Sequence, residues 1–381
     1  MIIKSLTFKD SINKIDIEKI NFDHMTVFVG TSGAGKTTIM NALATIKDIA
    51  KGESSPGDSW EFEFIDNEQR IINWKGKFST SIDLDDNEEE VSNIESEEVT
   101  IDGVQIIERK KNKILFANTS LPSLDKYKSM LYLLRDDDLI KTIYSSIERI
   151  VLISNDCHSH TQADALRLIS NSFVNQVKKK LKEDSCSGIR HIDNIHLSCR
   201  EKIYFSKNFD ENAFDDFEFI YTSIFPSVKS IKVELKNRYS KLGTNSNSAK
   251  SVVFISLELE NGEKVSQPAI SSGMFKSMMI LADLILSNHN EVIIIDEVEN
   301  SLGINCLPDI ITEMKGSRMQ CIFSTHHPKI INDISPNNWQ IVNRQNNTIK
   351  CYKSEELIKS ESKHDKFIQL MNNDIYLNGN I

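Results

Sequence analysis

The sequence lacks any apolar run that approaches the roughly 20 residues needed to span a bilayer. Residues 1–8 of the 381-residue chain are too short, and too interrupted by polar side chains, for a signal peptide. They have the pattern of a first strand. These absences predict a cytoplasmic protein without a membrane span.

Cysteine is sparse, and no two of the six cysteines form a C-x-x-C pair. We therefore expect reduced thiols in a cytoplasmic setting. One group of side chains leaves a zinc site open as an alternative. It consists of Cys157, His158, His160, His191, His196 and Cys199. Its spacings match no common zinc pattern, which favours surface and core residues of a loop-rich segment.

Positive charge is also scarce, because 45 Lys and Arg face 55 Asp and Glu, for a net charge of −10. Proteins that coat DNA are usually basic. Much of the acidic excess lies in residues 83–98, which we interpret as a solvated loop. Basic patches at 109–113 and 178–182 are typical of a hairpin tip or a helix face. Nucleic-acid contact is therefore neither supported nor excluded.

The most informative motif is a glycine-rich loop between an apolar strand pattern and a helical pattern. It consists of Gly30, Thr31, Ser32, Gly33, Ala34, Gly35, Lys36 and Thr37, followed by Thr38. Glycines let consecutive backbone N–H groups face one anion, and the helix N-terminus adds partial positive charge. The motif predicts ATP binding, with Lys36 on the β- and γ-phosphates and the Thr37 hydroxyl on Mg²⁺.

Alternating apolar residues predict strands on both sides of a helical middle segment. The runs within residues 60–118 favour an antiparallel sheet beside the nucleotide site. Strands return near 230–235 and 252–259, and the pair Asn261-Gly262 after them predicts a hairpin.

A helical pattern occupies the middle of the chain, from about 124 to 183. Its apolar residues recur at helical spacing from Met130 to Ile150, and a further helix is predicted over 161–182. Sustained heptads are missing, which disfavours a long coiled-coil arm. The sequence has no internal repeat.

A second acidic motif is predicted to complete the ATP site. The apolar run 291–295 has the pattern of a buried strand and ends in Asp296 and Glu297. In P-loop enzymes such a strand delivers an aspartate to Mg²⁺, which predicts Asp296 as a metal ligand. The adjacent carboxylate, Glu297, can polarise the attacking water.

Two further motifs flank this strand. The turn that contains Ser272 and Gly273 precedes an apolar helix predicted over 277–286. Small residues at a helix N-terminus form an anion site. Downstream, the strand pattern 321–325 places His326 at a strand end, where a histidine that senses the γ-phosphate is expected.

These four motifs, in this order, resemble the ABC-type ATPase heads of the SMC, RecF and OLD families. The resemblance covers residues 1–50 and 250–345. It implies an α/β P-loop NTPase, an ABC-type ATPase head with a parallel core sheet, an antiparallel β subdomain and a helical insertion. It also implies that Ser272 and Gly273 contact the γ-phosphate held by the opposite subunit, in a homodimer or higher homo-oligomer. Residues 299–302 match the D-loop, and His326 matches the switch histidine.

The chain departs from the family pattern at the signature. Met274 and Phe275 stand where the family has a second glycine and a Gln or Glu, and Gly303 stands where OLD-like proteins commonly have His. We identify no Q-loop glutamine. AAA+ proteins fit worse, because their Walker B strand lies closer to the P-loop without an intervening Ser-Gly signature.

The order of motifs divides the chain into four predicted segments. These are 1–123, the N-terminal half of the head; 124–229, a mostly helical insertion; 230–352, the C-terminal half; and 353–381, a tail.

The set of motifs looks most like the ATPase subunits of bacterial anti-phage defence systems, such as the PARIS-type and Septu-type ATPases. That resemblance implies an ATPase that senses or regulates a separately encoded effector, often a nuclease. About 54 residues follow His327, too few for the TOPRIM nuclease domain of OLD proteins, and no HNH pattern is present. A stand-alone nuclease is therefore disfavoured. The alternative is a RecF-like DNA-binding ATPase of repair or recombination.

Overall fold

The computed structural model places the chain in two units that interleave along the sequence. It describes residues 1–84, 90–110, 113–153, 169–183, 188–192, 195, 197–238, 250–287, 291–303, 306–360 and 362–378. Unit 1 comprises Met1–Leu152, Asn290–Val298 and Gln320–Ile381. Unit 2 comprises Ile153–His289 and Glu299–Met319. The four segments predicted from the motif order stay a prediction.

The described part of the chain contains both strands and helices. The strands are β1 (Ile2–Asp10), β2 (Ile15–Asn21), β3 (Met25–Val29), β4 (Asp58–Ile65), β5 (Ile71–Phe78), β6 (Asp83–Leu84), β7 (Glu90–Val91), β8 (Ile94–Ile101), β9 (Val104–Lys110), β10 (Lys113–Phe116), β11 (Thr119–Leu121), β12 (Ile150–Ile153), β13 (Ile169–Ser170), β14 (Val228–Arg238), β15 (Lys250–Leu259), β16 (Lys264–Ser266), β17 (Val292–Ile295), β18 (Gln320–Thr325), β19 (Trp339–Gln345) and β20 (Thr348–Lys353). The helices are α1 (Lys36–Ala50), α2 (Met130–Leu133), α3 (Asp138–Glu148), α4 (Asn171–Glu183), α5 (Cys199–Phe209), α6 (Glu211–Ile224), α7 (Ser272–Leu286), α8 (Leu307–Gly316), α9 (Pro328–Asp333), α10 (Ser354–Leu357), α11 (Lys363–Met371) and α12 (Asp374–Asn378). No described helix is both long and apolar enough to cross a membrane.

Unit 1 is built on a 14-stranded mixed sheet. Its strand order is β11-β10-β9-β8-β5-β4-β1-β2-β20-β19-β3-β18-β17-β12. Of these residues, only Ile153, the last of β12, belongs to unit 2. The strands β19, β3, β18 and β17 run parallel, and those from β11 to β2 pair antiparallel. The predicted parallel core sheet and the predicted antiparallel sheet are therefore both confirmed. The two are joined edge to edge through β2 and β20.

The sequence explains why the parallel strands lie in the interior. All five residues of β3, all four of β17 and all six of β18 are buried. Such continuous burial is typical of strands covered on both faces. Helix α1 packs its apolar face, which includes Ile39, Leu43 and Ile46, into the same core as the aromatic residues of β4 and β5.

The helical pattern predicted over 124–183 is only partly present. Met130, Ile140, Ile143 and Ile147 are buried on α2 and α3. Ile150 was wrongly assigned to this pattern, because Ile150–Ile153 form β12 beside β17. A short β-branched run cannot be told from a buried helix segment by periodicity. Of the helix predicted over 161–182, α4 covers the later part, and residues 161–168 lie outside the described chain.

Unit 2 contains a second sheet, of order β13-β15-β14, with β16 paired to β15. The predicted strands near 230 and 252 are β14 and β15, which pair antiparallel. The hairpin predicted at Asn261-Gly262 joins β15 to β16, and Gly262 has φ 81° as such a turn requires. Helix α7 begins at Ser272, five residues earlier than predicted.

Candidate nucleotide-binding site

The loop between β3 and α1 has a backbone that requires glycine. Gly33 has φ 85° and Gly35 has φ 105°, in the left-handed region where other residues are strained. A Cβ atom on Gly35 would lie 2.6 Å from Cδ1 of Ile349, whereas a Cβ atom on Gly33 would meet no atom within 4 Å. The loop is therefore packed against the sheet at Gly35 and open at Gly33, where a ligand can approach the backbone.

Lys36, the first residue of α1, has its ammonium group inside this loop. Its side chain is 5% exposed, and Nζ donates to the carbonyl oxygens of Gly30 at 2.8 Å and Thr31 at 2.9 Å. The residue before the helix is Gly35, so no side chain caps the first turn. An uncapped helix start beside a buried ammonium group fits an anionic phosphate.

The acidic pair after β17 is organised by a hydroxyl on the neighbouring strand. Ser324 of β18 donates from Oγ to Oδ1 of Asp296 at 2.6 Å, and the same Oγ accepts from the backbone N–H of Glu297 at 2.7 Å. Glu297 has φ 44°, a strained conformation for a non-glycine residue. The two hydrogen bonds therefore fix the direction in which the strand end presents both carboxylates.

His326 lies at the same edge of the sheet as the loop. Strand β18 pairs in parallel with β3, with Thr325 opposite Val29. His326 therefore follows its strand where Gly30 follows β3. The histidine is exposed, and the turn after it is held by a hydrogen bond from His327 N–H to Oγ1 of Thr325 at 3.1 Å. Unit 1 thus brings together the loop, the acidic pair and this histidine.

Oxygen ligands at this edge fit Mg²⁺. The Thr37 hydroxyl lies in the first turn of α1 on an exposed residue, and the Asp296 carboxylate is 7% exposed. Mg²⁺ prefers oxygen ligands and is typically bound by one or two protein groups together with substrate phosphates. This donor set suits that coordination. The roles assigned to Thr37 and Asp296 stay predictions.

The zinc alternative falls mostly outside the described chain. Cys157, His158, His160 and His196 are not among the described residues. Cys199 is buried at the start of α5, and its thiol donates to the carbonyl oxygen of Met279. Within the described ranges, no three His, Cys, Asp or Glu side chains form a group that could hold a metal.

Sequence reasoning missed Ser324. It is fully buried, and its hydroxyl contacts both members of the acidic pair. The signal available in the sequence was the position of Ser324, which follows the apolar run 321–323 and precedes Thr325 and His326. The local pattern could not show that β18, which carries Ser324, pairs with β17.

The signature residues lie in unit 2, at the start of α7. Ser271 caps the helix, because its Oγ accepts from the N–H of Met274 at 3.3 Å. Ser272 is exposed in the first turn. Phe275 is 5% exposed and packs under the guanidinium of Arg200, 5.3 Å from the ring centroid. The side chain at the position where the sequence resemblance predicts Gln or Glu is thus an internal contact of unit 2.

The chain matches a known protein family. The sequence model of the family described as "AAA domain, putative AbiEii toxin, Type IV TA system" matches residues 25–332. That span exceeds half of the chain and includes every motif discussed above, so the chain belongs to this family. The comparison with curated proteins gives no match.

Solved structures of SMC heads share the fold. The SMC head bound to the C-terminal winged-helix domain of ScpA has 13% identity and a TM-score of 0.53, with 96% of this chain and 100% of that chain covered. The Pyrococcus furiosus SMC head with an extended coiled coil, bound to the C-terminal domain of ScpA, has 11% identity and a TM-score of 0.50, with 98% and 100% covered. At these identities the likeness is one of fold, and the α/β ATPase-head fold predicted from the sequence is confirmed.

Proposed function

We propose that the protein is an ATP-hydrolysing head whose two copies close around ATP and control a separately encoded effector in anti-phage defence. The observation that carries the ATPase part is the edge of unit 1 where β3, β18 and β17 end. There, the glycine-rich loop, His326 and the acidic pair meet at one end of a parallel sheet, the place where α/β proteins bind ligands.

Each residue at this edge has a chemical task in the proposal. The loop amides and Lys36 bind the phosphates, and Lys36 exchanges its contacts with the carbonyl oxygens of Gly30 and Thr31 for phosphate oxygens. Glu297 orients and polarises the attacking water, and His326 contacts the γ-phosphate. Mg²⁺, held by Thr37 and Asp296, would supply charge neutralisation at the β- and γ-phosphates.

The predicted signature residues are the reason why we propose two copies. Ser272 and Gly273 lie in unit 2, and in the proposal they complete the ATP site of the opposite copy. ATP then favours the closed pair, and hydrolysis removes that preference. The copies would therefore form a homodimer or a higher homo-oligomer in the cytoplasm.

The effector part of the proposal is supported by the family and by the SMC heads. The family description names a putative toxin of a type IV toxin–antitoxin system. Both SMC heads are bound to a domain of another protein, ScpA. We propose that this chain likewise acts on a protein partner, and a nuclease is the effector class that we expect.

ATP binding is tested with Lys36→Ala. This change removes the buried ammonium group from the loop, and we expect loss of ATP binding by calorimetry and of phosphate release. Lys51→Ala is the matched control, because Lys51 is exposed at the other end of the same helix. Unchanged ATP affinity in Lys36→Ala would rule out the nucleotide site.

The partner class is tested by co-expression with the neighbouring genes. We expect stable co-purification with the product of an adjacent gene after nuclease treatment. DNA binding that weakens steeply with salt, without such a partner, would support the RecF-like alternative instead.

A further inference from the structure

The start of α7 packs directly on the D-loop in unit 2. A Cβ atom on Gly273 would lie 2.8 Å from the carbonyl oxygen of Ser301 and 3.5 Å from the backbone nitrogen of Gly303. Glycine at this position is therefore needed for the close approach of the D-loop backbone. Ser301 itself has φ 62°, so the loop is held in a strained conformation.

A buried lysine adds a polar contact between the same two segments. Lys276 lies one turn after Gly273 on α7 and is 1% exposed. Its Nζ donates to the carbonyl oxygen of Asn300 at 2.7 Å. The contact therefore ties the signature helix to the middle of the D-loop.

A third contact joins α7 to the chain that follows the D-loop. The Ser277 hydroxyl lies 3.5 Å from Sγ of Cys306, and the Cys306 N–H and thiol both approach the carbonyl oxygen of Gly303. Two consecutive residues of α7, Lys276 and Ser277, thus contact the chain on both sides of Ser301. The signature helix and the D-loop form one packed block within unit 2.

The chain connects this block to the proposed water-polarising residue. Asn300 follows Glu297 by three residues. In the proposal below, this short covalent link carries a change at the Asn300 carbonyl to the backbone of Glu297. The signature motif of α7 is the part that would sense ATP on the opposite copy.

We propose that Lys276 is a positioning residue for ATP hydrolysis. It holds the D-loop to the signature helix. When Ser272 contacts the ATP of the opposite copy, this link positions the backbone beside Glu297 for hydrolysis of the ATP in its own copy. This inference rests on the proposed function. In this proposal Lys276 contacts no reacting atom and acts through the D-loop.

The test compares Lys276→Met and Lys276→Arg with the wild-type chain in two measurements. The first is amide hydrogen exchange of residues 299–303 without nucleotide, which we expect to be faster in Lys276→Met. The second is steady-state ATP hydrolysis. We expect kcat to fall by about tenfold or more with little change in KM. The Hill coefficient for ATP should fall toward 1, and Lys276→Arg should restore part of the rate.

Lys202→Met is the matched control. Lys202 is also a buried lysine of unit 2 and contacts α7, but its Nζ donates to Asp283 at 2.9 Å and to Ser287, at the other end of that helix. Its loss should lower stability without faster exchange at 299–303. An equal rise in D-loop exchange in both variants would overturn a specific role for Lys276.

Two other results would contradict the inference, and a third separates it from the proposed function. Unchanged D-loop exchange in Lys276→Met would show that the contact does not hold the loop. Faster exchange with an unchanged kcat and Hill coefficient would show that the loop position does not control hydrolysis. If the wild-type chain does not turn over ATP, the proposed function is wrong, and the exchange measurement still decides whether Lys276 holds the loop.

Discussion

Glu97 is a fully buried carboxyl group whose ionisation should make the stability of unit 1 depend on pH. Trp74 Nε1 donates to its Oε1 at 2.9 Å, and the N–H of Met130 donates to its Oε2 at 2.8 Å. The guanidinium of Arg109 lies 4.0 Å from Oε2. These groups favour the charged form, but desolvation by burial outweighs them and raises the pKa of Glu97 from 4.5 to about 7.

The direction of the pH effect follows from proton binding. Between pH 4.5 and about 7, Glu97 is ionised in the unfolded chain and protonated in the folded one. Folding takes up a proton in this range, so the free energy of unfolding falls as pH rises. The difference between the two pKa values corresponds to about 3 kcal/mol. That cost is absent below pH 4.5 and complete above pH 7.

The assay is urea unfolding of wild type and Glu97→Gln at pH 5 and pH 8. We expect the wild type to lose about 2.5 kcal/mol more than the variant between these values, because part of the cost is already present at pH 5. Gln replaces one of the two acceptor oxygens with an NH2 group, which would place a donor against Trp74 Nε1–H or the N–H of Met130. The variant should therefore be less stable at pH 5. Glu95→Gln, at an exposed position of the same strand, is the control. Equal losses in wild type and Glu97→Gln would refute the reasoning.

Two further substitutions test the packing around α7. Gly273→Ala should cost about 1–3 kcal/mol, because the added methyl group would meet the carbonyl oxygen of Ser301; a stability equal to wild type by urea unfolding would show that this approach is not close. Tyr221→Phe removes the hydroxyl that donates to the carbonyl oxygen of Met274 at 3.2 Å and should cost about 1 kcal/mol. A variant as stable as wild type in the same assay would argue against that hydrogen bond.

Much of unit 1 could be predicted from the sequence because phosphate binding imposes a local pattern. A strand, a glycine-rich turn and a helix must follow one another within about 25 residues, and Met25–Val29 and Lys36–Ala50 do so. The apolar strand before Asp296 was equally clear, since all four residues of Val292–Ile295 are buried. In each case the deciding residues are neighbours along the chain.

The features that could not be predicted depend on contacts between distant segments. Ile150–Ile153 form a strand because β17 offers them an edge, although the preceding residues are helical. Ser324 positions the acidic pair only because β18 lies beside β17 in the observed register. The contact of Lys276 could not be predicted for the same reason, because its acceptor, the carbonyl oxygen of Asn300, lies 24 residues away along the chain. A sequence pattern shows which residue types are present, but the tertiary pairing decides what they contact.

The central claim is that two copies complete each other's ATP site, and Glu297→Gln tests it most directly. This change keeps the size and shape of the side chain but removes the carboxylate that we propose polarises the attacking water. We expect the variant to bind ATP, to hydrolyse almost none, and to show at least twice the monomer mass by light scattering in ATP and Mg²⁺, returning to the monomer in ADP. A variant that binds ATP and remains a monomer at every protein concentration would contradict the account.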